Sequence, residues 1–191
     1  RRRIGKGWWK MPTNPSKESC ADQVVDRLRS RMEDLHEEFG PIKNFCSVGN
    51  ESERDGLIPD LEDYGLCFDY VPVNTFTDQK RGYWRWQLSY GGPSDEFRFY
   101  GEQIDGFFIH IDTVEYWFLD WHDGAVVDLM DEARSSCSRI PEAREWAKTI
   151  ALFLQYQVDR GIAQEVRKKA NEILSENIAD GTAVDGEEVA V

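Results

Sequence analysis

From Tyr83 to Trp121 large apolar and polar residues alternate, with two glycine-bearing breaks between the runs. A period of two is the signature of strands with one buried face, and short turns between such runs make antiparallel pairs. In the first run, Tyr83–Tyr90, the residues Trp84, Trp86, Leu88 and Tyr90 share one face, and Arg85, Gln87 and Ser89 the other. Gly91-Gly92-Pro93-Ser94-Asp95 reads as a turn. Glu96–Tyr100 alternates again with Phe97 and Phe99 inward, and Gly101–Gly106 reads as a second turn. Phe107–Trp121 then reads as one long strand. It carries Phe107, Ile109, Ile111, Trp117, Leu119 and Trp121 on one face, and Phe108, His110, Asp112, Tyr116, Phe118 and Asp120 on the other. The three runs predict a meander.

Helical spacing brackets this block. Ala21, Val24, Val25, Leu28, Met32 and Leu35 form an apolar stripe on a helix predicted over 16–38, capped by Asn14 or Ser16. Leu66–Val73 reads as a further short strand after a polar loop at 44–63. Two more helices are predicted at 125–137 and 141–176; the second has a stripe of Trp146, Ala147, Ile150, Phe153, Leu154 and Val158 and a break at Gly161. A chain of 191 residues accommodates this as one domain. The expected fold is α+β: a three- to four-stranded antiparallel meander with helices packed mainly on one face. The expected organisation is a flexible basic arm at 1–15, a single domain at 16–176 and a disordered acidic tail at 177–191.

Charge narrows the partners. The net charge is −13, although residues 1–10 contribute Arg1, Arg2, Arg3, Lys6 and Lys10. Residues 101–132 hold nine carboxylates and no lysine or arginine. Such a surface repels nucleic acid and attracts basic proteins. No apolar run is long enough to span a bilayer, so no membrane association and a cytoplasmic location are expected. Cys20, Cys46, Cys67 and Cys137 form no metal-binding spacing and read as free thiols in a reducing compartment.

Chemistry-bearing residues are sparse. His110 with Asp112, or His122 with Asp120 and Asp123, are possible metal ligands. The two histidines lie twelve positions apart on one strand, roughly 40 Å at strand rise, and so cannot share an ion unless the strand folds back. Cys137 sits among Ser135, Ser136 and Ser138 without an assignable base. Gly91-Gly92-Pro93-Ser94 lacks the lysine and the helix of a phosphate loop and reads as a turn. Trp84, Trp86, Tyr90, Phe97 and Phe99 could stack bases, but core packing is the simpler role.

The stretch Trp84-Arg85-Trp86-Gln87-Leu88-Ser89-Tyr90-Gly91-Gly92-Pro93-Ser94-Asp95-Glu96-Phe97, with Glu115-Tyr116-Trp117-Phe118-Leu119-Asp120-Trp121-His122-Asp123-Gly124-Ala125, resembles a pattern in uncharacterised small proteins of bacterial plasmids and phages. The resemblance covers about a quarter of the chain and implies a mobile-element setting, in which small acidic proteins often block host defence. The expected function is therefore an acidic, protein-binding inhibitor, a nucleic-acid mimic that occupies a basic nucleic-acid-binding host protein. Its partner-binding residues would be Asp112, Glu115, Asp120, Asp123, Asp128 and Asp131, with no cofactor or metal and no catalytic residue. The alternatives are a metal-dependent hydrolase built on the histidine–carboxylate pairs, and an adaptor using Trp8-Trp9.

Overall fold

Alternation translates directly into two sheet faces. In the computed structural model, which describes residues 18–39, 64–104 and 108–179, the strands are β1 (Cys67–Val71), β2 (Tyr83–Ser89), β3 (Ser94–Ile104), β4 (Phe108–Asp120) and β5 (Asp123–Asp128). They form one antiparallel sheet in the order β1-β2-β3-β4-β5, each paired with its neighbour in sequence. The helices are α1 (Cys20–Phe39), α2 (Leu129–Arg134), α3 (Ala143–Asp159) and α4 (Ile162–Ala179). The arm at 1–15 with Trp8-Trp9, the loop at 44–63 and residues 180–191 of the tail lie outside the described residues.

The core face is the one the tryptophan spacing predicts. Register places Phe68, Trp86, Phe97 and Tyr116 across four strands, with Tyr70, Trp84, Phe99 and Val114 beside them. Trp84, Trp86, Phe97, Phe99, Val114, Tyr116 and Phe118 are buried. Each such side chain contributes roughly 1.5–3 kcal/mol relative to exposure. Phe153 of α3 stacks on Trp86 with ring centroids 3.7 Å apart. The Trp84 indole N–H donates to the Ala163 carbonyl at the start of α4, and Leu28, Met32 and Leu35 of α1 join the same cluster.

Several boundaries differ from expectation, each for a local reason. The sheet has five strands, because Asp123–Asp128 pairs with β4 instead of starting a helix. Ala125 and Val127 gain ladder hydrogen bonds to β4, and Val126 and Val127 are β-branched. The helix starts only where Asp128 caps it, its carboxylate accepting from the Met130 and Asp131 amides. The turn expected from Gly101 is delayed, and β3 runs on to Ile104 through a register shift at Tyr100/Gly101. Gly101 is needed there, since a Cβ would collide with the His110 backbone carbonyl. Helix α1 is capped by Ser19; the expected caps Asn14 and Ser16 lie outside the described residues. The Ser19 hydroxyl accepts from the Asp22 amide at 3.2 Å, and the Asp22 carboxylate accepts from the Ser19 amide at 3.2 Å, a reciprocal box.

Candidate interaction surface at one end of the sheet

Two turns meet at the end of the sheet where β2 passes into β3 and β4 into β5. The sequence puts Tyr90 on the tryptophan face, but β2 ends at Ser89 after an irregularity between Gln87 and Ser89, and Tyr90 is 83% exposed. Trp121, the first residue of the two-residue β4–β5 turn, is 78% exposed and has φ 49°. That left-handed conformation favours glycine and costs a larger residue about 1–2 kcal/mol. The indole of Trp121 lies over Gly92, so closely that a Cβ there would strike the ring. Gly92 precedes Pro93 through a cis peptide bond.

Beneath this end, α1 and the β2–β3 hairpin enclose a cleft of about 310 Å³ lined by Arg27, Ser30, Arg31, Pro93, Asp95 and Phe118, among others. Asp95 is only 4% exposed. Arg31 grips it with two bonds of 2.6 and 3.0 Å, the Tyr116 hydroxyl donates at 2.8 Å, and the Ser89 hydroxyl donates as well. Burial alone would raise the Asp95 pKa, but the bonds from Arg31, Ser89 and Tyr116 outweigh it and hold the carboxyl below its ordinary range. Burial, and then the Asp95 charge, push the Tyr116 hydroxyl upward. A carboxylate receiving four donors is a poor proton acceptor, so this cluster pins α1 to the sheet rather than offering a catalytic base.

The six carboxylates expected to bind a partner are placed as follows. Asp123 accepts the Cys20 backbone N–H at 2.6 Å, capping α1 from a distance. Asp128 caps α2. Asp112 pairs with Arg81 at 2.6 Å. Glu115 accepts the Trp117 indole N–H at 2.7 Å. Asp131 pairs with Arg134 at 3.2 Å, both side chains being exposed on α2. Asp120 ends β4, opposite Asp123. Strand alternation puts Glu115 on the face opposite that of Asp120, and Asp112 sits at the register shift of β4 without a cross-strand partner, so the six do not form one continuous array.

The face away from the tryptophans holds a row that sequence reading missed. Register aligns Asp69, Arg85, Arg98, Glu115 and Asp128 across all five strands. Arg85 binds Asp69 through two bonds of 3.0 and 2.6 Å. Arg98 binds Glu96 at 2.6 Å and lies 3.9 Å from the Trp117 ring centroid and 4.9 Å from that of Tyr83. Only the partner choice of each strand brings these residues together, and no local spacing announces it.

Among the described residues no three His, Cys, Asp or Glu side chains gather as metal ligands would. His110 and His122 are exposed near opposite ends of β4. Cys137 is exposed beyond α2, its backbone N–H bonded to the Ser135 hydroxyl. Trp84, Trp86, Phe97 and Phe99 are buried and unavailable for base stacking. No helix among the described residues is long and apolar enough to cross a membrane. Scans of family models, of curated proteins and of solved structures found no match to this chain.

Proposed function

We propose that this chain is a protein-binding domain that docks through the aromatic, acid-flanked end of its sheet onto a basic surface of a partner, and acts by occupying that surface. One observation carries the reading. Trp121 stands in water at a backbone conformation that disfavours it, on a turn where glycine would be more stable. Tryptophan and tyrosine dominate binding hot spots, and strained exposed residues cluster at functional positions. Asp120, Asp123 and the acidic start of α2 flank Trp121 in sequence and favour a basic partner, of which a nucleic-acid-binding protein is the expected class. Close imitation of a phosphate array is the less favoured form of this reading. Asp112, Glu115, Asp123 and Asp128 each bind groups of the fold itself.

The test is capture of partners from nuclease-treated bacterial lysate by the full chain and by Trp121→Gly, washed at low and high salt. A basic protein retained at low salt, released at high salt, and held at least tenfold more weakly by Trp121→Gly supports the proposal. Equal capture by both proteins refutes it.

A further inference from the structure

We infer that β5 is a docking edge that takes an extended, basic segment of the partner as a sixth strand. This rests on the protein-binding reading and adds the mode of engagement. β5 is an outer strand of the sheet, paired with β4 on one side only. The Trp121-His122 turn makes Asp120 and Asp123 the closing pair of the hairpin. In antiparallel pairing, hydrogen-bonded and non-hydrogen-bonded pairs then alternate. Gly124 and Val126 therefore turn their backbone N–H and C=O groups away from β4. Among the described residues no backbone group bonds to them from that side.

Proteins usually blunt such an edge with lysine, proline, a bulge or a cover. The central residues here are Gly124-Ala125-Val126-Val127, with none of these residue types, and their pairing with β4 is unbroken. Helices lie beside both outer strands, α4 beside β1 and α1 beside β5, where Val127 is buried in the core cluster and Val126 faces away from it. Val126 is 43% exposed and borders a groove of about 240 Å³ in which Asp128, Asp131 and Glu132 outnumber one cation, Arg139, and where the side chains of an added strand would lie. Strand addition gains affinity from main-chain bonds and specificity from such flanking contacts.

Charge selects the occupant. Asp123 and Asp128 stand at the two ends of β5, and Asp131 and Glu132 follow. A second copy would bring its own Asp123, Asp128, Asp131 and Glu132 against this same acidic edge, which like-charge repulsion disfavours. A segment with lysine or arginine at both ends of a short β-forming stretch meets opposite charges instead.

The probe is a ten-residue peptide with two lysines at each end and alternating valine and threonine between them. Binding to the full chain is read by amide hydrogen exchange. The expected result is at least tenfold slower exchange at Gly124 and Val126. A peptide with glutamates in place of the lysines should bind at least tenfold more weakly, and one N-methylated along its pairing edge should not bind. Val126→Pro, which removes an outward N–H at an edge position that tolerates proline, should abolish binding. Unchanged binding by Val126→Pro and by the N-methylated peptide overturns the inference. So does protection of these amides without any peptide, which would mean that a segment of this chain already covers the edge. If Trp121→Gly weakens partner capture while Val126→Pro does not, the edge assignment fails and the protein-binding reading survives. If neither weakens it, both fail.

Discussion

Two side chains illustrate opposite uses of an unfavourable position. Asp95 is a buried charge made tolerable by four donors, and its value is structural. Asp95→Asn should lower stability at neutral pH by about 2–3 kcal/mol, less than for a fully buried pair because Arg31 keeps part of its fork in water. The folded carboxyl titrates below its unfolded value. Its stabilisation is therefore complete above about pH 4 and is lost as pH falls through the folded pKa. Urea denaturation at pH 7 and pH 3 checks this: the gap between wild type and Asp95→Asn should narrow at the lower pH. Trp121 is the reverse case, a cost without a structural return. Trp121→Gly should leave the thermal midpoint unchanged or raise it, by up to about 1–2 kcal/mol of relieved strain, while weakening partner capture. A clear fall in the midpoint would make Trp121 a structural residue instead.

At the scale of elements, the positions of strands and helices depend on caps and close approaches. Helix α1 is held at its first residue by Asp123, so the β4–β5 turn and the helix are coupled. Asp123→Ala should cost about 1 kcal/mol, and a double-mutant cycle with Ser19→Ala separates this remote cap from the local one. Gly101 permits the close approach of β3 and β4, and Gly101→Ala should cost about 1–3 kcal/mol, because the colliding atom is backbone and cannot turn aside. At Gly92 the colliding group is the exposed Trp121 ring, which can move away. Gly92→Ala should therefore change stability little and shift Trp121 fluorescence. Equal losses at the two glycines, measured by urea denaturation, would contradict this distinction.

At the scale of the whole molecule, the tryptophan face joins all layers into one cluster, with Phe153 of α3 stacked on Trp86 of β2. Phe153→Ala should cost about 3–5 kcal/mol and weaken the near-ultraviolet circular dichroism as the Trp86 environment loosens. The net charge of −13 acts at this scale too. Exposed charges lose their reach beyond about 10 Å at 0.1 M salt. Partner association should therefore slow as salt rises, with a smaller change in dissociation.

Alternation alone settled the antiparallel sheet, and the spacing of Trp84, Trp86, Phe97 and Phe99 identified its buried face, because a period of two is a local property. The apolar stripe of α1 and that of α3 were legible for the same reason. What sequence could not decide depends on which strand lies beside which. Residues Ala125–Val127 carry a helical pattern in sequence, because local propensity holds no record of the ladder that β4 offers them. The period puts Tyr90 on the tryptophan face, because it does not record where β2 stops pairing. Asp123 and Asp128 looked like surface charges, and only the fold aimed them at helix amides. The row Asp69, Arg85, Arg98, Glu115 and Asp128 exists only once register aligns five distant segments. Trp121 became a candidate site through a φ angle and an exposure that tertiary packing sets, since the same residue buried would be an ordinary member of the core.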